Sequence, residues 1–277
     1  VANRPSAIVP VTKIESPFAR VLIYGDPGCG KTPLVGTSPR GLILSADPYG
    51  TISAALTGSK CDRWDVRDHN DLDEAYQFFR HGGCDDYSWV WLDSVTLFEE
   101  RGLDSIMEDL ISSGKTHRKV YLPDRPEYGQ NQNRIKLWVR GMVDLPINFG
   151  LTAHIMRVED EDGNVIMKPS IQGVQGKVSD TICGYMGIVG YMWAARKEGE
   201  IRRGLQVFKD SKRVAKDRYG AIPNGKMFNP TIPRLEELIR KKLPEPPTPR
   251  KRTGVKRAAP GNVQRNRTAA QRNRRST

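Results

Sequence analysis

Apolar residues in this chain come in short runs that end at glycine, proline or a carboxylate. Residues 18–24 (with Val21-Leu22-Ile23-Tyr24), 41–48 (Leu42-Ile43-Leu44, ending at Asp47), 87–94 (Trp89-Val90-Trp91-Leu92) and 147–154 each predict a core strand. Other segments change to helical spacing. Leu72, Ala75, Phe78 and Phe79 predict an amphipathic helix over 72–82. Leu97, Phe98, Leu103, Ile106, Met107 and Leu110 predict one over 95–113, closed by Gly114. Ile135 to Leu145 resumes a helix, and Leu235, Leu238, Ile239 and Leu243 place a last one over 231–243. Residues 61–68 hold a short strand. A helix after residue 32 is brief because Gly36 and Pro39 soon stop it.

After residue 154 the period becomes that of hairpins. Residues 156–166 read as strand–turn–strand about Glu161-Asp162-Gly163-Asn164. Met186 to Ala195 and Leu205 to Phe208 read as a second pair about the turn 195–200. Strands and helices thus follow one another up to residue 154, and β-hairpins come after them. Residues 115–133 (KTHRKVYLPDRPEYGQNQN) and the loop Gln172 to Lys177 read as polar and irregular. The chain thus divides into an extended arm (1–17), a core domain (18–243) and a proline-spaced tail (244–277) expected to lack regular structure.

Composition narrows the function. Mean hydropathy is -0.55 and no run of about 18 apolar residues exists, so no membrane-spanning helix is expected. The four cysteines (Cys29, Cys61, Cys84, Cys183) match no zinc spacing. Cys29 lies inside a glycine-rich loop that a disulfide would obstruct. A reducing compartment, the cytoplasm, fits best. Formal net charge is +12, and the tail holds ten Lys or Arg against the single acid Glu245. Such a tail suits a polyanion, with Arg250, Lys251, Arg252, Lys256 and Arg257 as candidate contacts. Lys115, Arg118 and Lys119, interleaved with Tyr121 and Tyr128, suit phosphate contact plus base stacking, and Lys168 and Lys177 extend the set. A solvated insertion has the same composition, and charge alone does not separate DNA from RNA or an acidic protein.

The chemistry centres on Gly25-Asp26-Pro27-Gly28-Cys29-Gly30-Lys31-Thr32, a G-x-x-x-x-G-K-T phosphate loop directly after a strand. Its backbone N–H groups would cradle phosphates of ATP, Lys31 would reach the β- and γ-phosphates, and the Thr32 hydroxyl would ligand Mg²⁺. Asp93 closes an apolar strand in the manner of a Walker B aspartate and would hold the same ion from the other side. Asp47 and His154 end two further strands, at the rim where open α/β sheets bind ligands. Asp47 is placed to orient the attacking water, or simply to cap its turn. His154 is placed to sense the γ-phosphate, or to serve structure alone. Lys216 and Arg218, two apart, share a face if extended. They suit a cationic prong aimed at a neighbour's γ-phosphate, or a solvated basic hairpin.

With these motifs in hand, residues 15–225 resemble the RecA-type P-loop ATPases, and more narrowly the phage-encoded RecA-like proteins of single-strand annealing and recombination. GDPGCGKT carries the resemblance most specifically. ILSAD resembles the strand ending at the catalytic carboxylate, with Asp47 where that family has Glu. VWLDS resembles the Walker B strand, and LTAHI the strand whose last polar residue, Gln in classical recombinases, couples nucleotide state to DNA loops. KDRYG is similar to the K-x-R-x-G element with which hexameric RecA-fold helicases reach into the adjoining subunit. The resemblance implies an α/β fold of RecA type, with the phosphate-loop strand central in a mostly parallel sheet flanked by helices and C-terminal β-hairpins beyond, loops 112–131 and 157–180 near DNA, and a ring or filament with ATP between subunits. It implies an ATPase that binds single-stranded DNA; a helicase-like motor or loader, or a nucleotide-gated scaffold without hydrolysis, shares the same core motifs.

Overall fold

The computed structural model describes residues 18–47, 49–114, 122–159, 162–171 and 177–243. The arm, the tail with Arg250, Lys251, Arg252, Lys256 and Arg257, and the candidates Lys115, Arg118 and Lys119 lie outside the described residues.

In chain order the elements are β1 (Arg20–Tyr24), α1 (Lys31–Val35), β2 (Gly41–Ser45), α2 (Ile52–Leu56), β3 (Asp62–Asp65), α3 (His69–Arg80), β4 (Trp89–Asp93) and α4 (Val95–Ser112). There follow α5 (Arg125–Val143), β5 (Asn148–Ala153), β6 (Ile155–Glu159), β7 (Val165–Pro169), α6 (Lys177–Tyr185) and β8 (Ile188–Lys197). The chain closes with β9 (Glu200–Gln206), β10 (Lys216–Asp217), β11 (Lys226–Phe228) and α7 (Ile232–Arg240). The main sheet runs β11-β9-β8-β1-β5-β4-β2-β3, with β10 beside β8. It is parallel from β8 to β3 and antiparallel at β9, β10 and β11. The phosphate-loop strand is therefore central, as expected.

Period-two alternation sorts the apolar residues onto two faces. Val21, Ile23, Trp89 and Trp91 point to the side packed by α1 and α7. Leu22, Tyr24, Val90 and Leu92 point to the side packed by α3, α4, α5 and α6. Both faces of the central strands are thus dry, which is why their sequences are continuous apolar runs.

On the first face Trp89 and Trp91 stack at 5.2 Å. The indole N–H of Trp91 donates to Ser38 Oγ at 2.9 Å, and that of Trp89 to Glu236 Oε2 of α7 at 2.9 Å. Gly150 lies beside Trp91 in the sheet register, and a Cβ there would come within 2.1 Å of the Trp91 ring. Gly150→Ala is therefore expected to destabilise the fold by about 1–3 kcal/mol through overpacking, read as a lowered midpoint in denaturant unfolding.

Arg20, 6% exposed, binds the carbonyls of Val143, Leu145 and Ile147 and so fixes the turn from α5 into β5. Burial lowers its pKa to about 10, which leaves it charged at neutral pH.

Several stretches differ from the sequence reading, among them the unexpected short elements α2 and β11. Residues 125–133, expected to be irregular, form the first turns of α5. Asp124 and Glu127 make a reciprocal capping box there, and Pro126 sits in the first turn where its missing N–H costs nothing. Lys177 opens helix α6 rather than ending a loop. The return strand β9 starts at Glu200, so the turn between β8 and β9 is only Glu198-Gly199, with Lys197 facing Glu200. In α3 the buried stripe is Leu72, Ala75 and Phe79, whereas Phe78 is 36% exposed and meets Trp64 and Tyr87 edge-on.

Candidate nucleotide-binding site

Four parallel strands deliver their carboxyl ends to one cavity of about 540 Å³. β1 runs into the phosphate loop, β2 leads to Asp47, β4 ends at Asp93 with Ser94 following, and β5 is followed by His154. Gly28, Gly30, Lys31, Thr32, Asp47, Asp93, Ser94 and His154 all line it, together with Arg203. The loop can turn as it does because Gly28 and Gly30 have φ of +77° and +102°, a left-handed region closed to most side chains. Its start lies tightly on β8: a Cβ on Gly25 would come within 2.2 Å of the Met192 carbonyl oxygen.

Lys31 is 7% exposed, and its ammonium folds onto the carbonyls of Gly25 (2.9 Å) and Asp26 (3.0 Å). Those carbonyls hold the cation at the mouth of the loop, where a phosphate oxygen would take over its bonds. Burial raises the Cys29 thiol above its ordinary pKa, opposed by the Lys31 ammonium, so the thiol stays protonated at neutral pH. All four cysteines are free.

Asp93 is 7% exposed and accepts a hydrogen bond from the Thr152 hydroxyl, which orients the carboxylate. The Asp93–Ser94 peptide is cis. Ser94 then caps α4, accepting from the Leu97 N–H at 3.3 Å. Asp47 Oδ1 accepts from the Tyr49 N–H at 3.0 Å, an Asx-type turn that turns the carboxylate along the cavity wall. The His154 N–H donates to Thr96 Oγ1 at 3.0 Å. Burial, and then the Lys31 charge, push its imidazole below the ordinary histidine range, so it is neutral at neutral pH.

The two cations of the KDRYG stretch lie elsewhere. Lys216 pairs in register with Val189, and the Arg218 N–H donates to the Gly187 carbonyl at 2.8 Å, at the amino-terminal end of β8. The loop sits near Tyr191, three residues on or about 10 Å along the strand. Both side chains share a face, as the spacing predicts. They bind the carbonyls of Cys183 and Gly184 at the C-terminus of α6, where cations suit the helix dipole. Neither lines the cavity of its own chain. Lys168 is held in an ion pair with Asp180 at 3.0 Å, its side chain 17% exposed, and Lys177 is exposed at the start of α6.

Two residues at the site were not singled out from sequence. Arg157 of β6 lies 3.8 Å from Asp26 of the phosphate loop. Arg203 of β9 lies over Gly30, with its Nε 2.5 Å from where a Cβ would stand. Had β9 been started at Glu200, period two would have placed Arg203 on the face of Leu205 and Val207, which is the α1 side.

A phosphate loop at the head of a central parallel strand, with carboxylates from two neighbouring strands facing it, defines a P-loop ATPase. The chain belongs to the AAA domain family, whose model matches residues 18–219. Nothing among the curated proteins matches it. Among solved structures it is similar to the flagellar accessory protein FlaH of Methanocaldococcus jannaschii, at 9% identity over 78% of this chain and 88% of that one, with a TM-score of 0.39. It is similar also to a second solved structure, an ATPase domain, at 11% identity over 77% of this chain and 81% of that one, with a TM-score of 0.41. Among the described residues no helix is long and apolar enough to cross a membrane.

Proposed function

We propose that this ATPase handles single-stranded DNA in the manner of RecA-type annealing and recombination proteins, assembling as a ring or filament with ATP at the subunit boundary. The observation that carries the coupling is the path of the chain out of the cavity. Only His154 separates β5 from β6, so the β6–β7 hairpin springs directly from the nucleotide site. Arg157 of that hairpin then reaches back to Asp26 in the phosphate loop. Both partners are more than half exposed, so the pair contributes little to stability. Its value lies in joining the phosphate loop to the hairpin that follows β5.

The cavity residues suit the chemistry. The phosphate loop binds the nucleotide phosphates and Lys31 neutralises the bond to be broken. Asp47 orients water, and His154, held by Thr96, reports the γ end to the hairpin. Thr32 and Asp93 offer hard oxygen ligands fit for Mg²⁺, which when bound supplies charge neutralisation on the β- and γ-oxygens. Among the described residues no cluster of three or more His, Cys, Asp or Glu could hold a metal alone. That fits an ion held mainly between two side chains and phosphates. Lys216 and Arg218, remote from their own cavity, complete a neighbour's site. The basic tail adds sequence-independent affinity for DNA.

Fluorescence anisotropy with a labelled oligonucleotide tests this reading. Binding is expected to be tighter with a non-hydrolysable ATP analogue than with ADP, and to weaken with salt at a log–log slope of about −0.7 per phosphate contacted. Arg157→Ala is expected to erase the difference between the two nucleotides while leaving ATP binding intact. Equal affinity in both nucleotide states for the wild-type chain would refute the coupling. Annealing of complementary strands without unwinding supports the recombination reading, whereas ATP-dependent strand separation would replace it with a motor.

A further inference from the structure

The phosphate loop of this chain lacks one donor. Pro33 follows Thr32 in the first turn of α1 and lines the cavity. A proline there fits the backbone but has no N–H. The backbone N–H groups of this turn are what a phosphate loop offers to the α- and β-phosphates. The next N–H, on Leu34, is already donated to the Gly30 carbonyl at 3.0 Å.

Arg203 lines the same cavity as Pro33 and lies over Gly30, three residues before that proline. Its Nε is buried and has no hydrogen-bond partner among the described residues. An unpaired buried guanidinium N–H is costly unless something fills its place. The adjacent Arg202 turns the other way, exposed and 3.7 Å from Glu198. Arg203 is also firmly seated. Its residue pairs with Ala194 of β8, and its carbonyl accepts from the Asn229 N–H at 2.8 Å.

Sheet order sets which end of a nucleotide it faces. β9 lies on one side of β1, whereas β5, β4 and β2, which bring His154, Asp93 and Asp47, lie on the other. The phosphate loop is between them. Arg203 therefore approaches the nucleotide from the side away from the groups that face the γ-phosphate.

We propose that Arg203 is a nucleotide-binding residue supplied by the same chain, directed at the α/β-phosphate side and replacing the donor that Pro33 removes. This rests on the reading of the cavity as the ATP site. It differs from the trans role given to Arg218, since Arg203 needs no second copy. The planar guanidinium suits the task because it presents paired donors to phosphate oxygens in a fixed geometry.

Titration with a fluorescent ADP analogue, with ATP in competition, provides the test. Arg203→Gln is expected to weaken ADP and ATP alike, by roughly 10–100-fold, as for loss of a charge-assisted hydrogen bond. Arg203→Lys, which keeps the charge and loses the fork, is expected to fall between. Restoring the missing N–H with Pro33→Ala is expected to shrink the penalty of Arg203→Gln. Wild-type affinity in Arg203→Gln overturns the proposal, as does a loss confined to ATP, or an undiminished loss in the Pro33→Ala background. If Arg203→Gln does not fold, Arg203→Lys takes its place, and wild-type affinity there overturns the proposal equally. Lys31→Ala separates the two levels. If the cavity is not the ATP site, that variant binds ADP normally; if only the Arg203 assignment is wrong, it remains impaired.

Discussion

Lys31→Ala is expected to lower ATP turnover roughly 100–1000-fold, the cost typical of removing one preorganised donor from developing charge. The loss comes from the position of the ammonium rather than from fold stability. The ammonium bonds to the Gly25 and Asp26 carbonyls and approaches Cys29 Sγ at 4.0 Å. Both bonds lie within the loop itself and tie no other element to it, and Asp26 is exposed, so water can replace the lysine at its carbonyl at small cost. The unfolding temperature should therefore hardly move while phosphate release under saturating ATP collapses. If Lys31 bridges the β- and γ-phosphates as proposed, affinity should fall more for ATP than for ADP. A variant with normal phosphate release would remove the loop from the reaction altogether.

The same substitution has a local electrostatic consequence. The Lys31 charge is one of the causes that hold His154 below its ordinary pKa. Burial is the larger cause, so His154 should stay depressed in Lys31→Ala, with a smaller shift. The hairpin that begins at Ile155 thus meets the phosphate loop through the Arg157–Asp26 pair, while the Lys31 charge acts on the imidazole at its root.

How much of this could be read without coordinates follows from which forces act locally. The strands carrying the loop, Asp47, Asp93 and His154 are buried on both faces, so their apolar runs are unbroken and their ends marked by polar residues. That made the cavity legible almost whole. The start of α5 was obscured because its first turns hold Arg125, Glu127, Tyr128 and Gln130, with no apolar stripe. The signal was Asp124 and Glu127 three residues apart, a capping pattern rather than a hydrophobic one. β9 was shortened because Arg202 and Arg203 look like a solvated turn. Only its pairing with β8 across the tight turn Glu198-Gly199 shows that the strand begins at Glu200. Arg203 was lost with it. β11 is three residues long with Phe228 59% exposed, so its only warrant is the edge it pairs with. For α5 and β9 the missing information was a polar cap and a hairpin pairing that leave no apolar stripe, and for β11 it was a pairing with a strand some twenty residues earlier.

Lys216 and Arg218 were paired correctly by spacing, but their surroundings allow two roles that only a second chain can separate. As donors to the α6 carbonyls they tie β10 to the end of that helix. As cations at the sheet edge remote from their own phosphate loop, they are placed to serve another's. Arg218→Ala alone is expected to reduce turnover roughly 1000-fold if the arginine acts in trans. Mixing supplies the decisive result. Arg218→Ala keeps an intact phosphate loop, and Lys31→Ala keeps an intact Arg218, so each repairs the other at one kind of boundary. Combining the two inactive chains should restore a substantial fraction of wild-type phosphate release, with a maximum near equal amounts. No restoration, together with a lowered unfolding temperature in Arg218→Ala, would confine the arginine to tying β10 to α6. Each copy would then hydrolyse ATP with its own residues, and the oligomer would lose its part in the reaction.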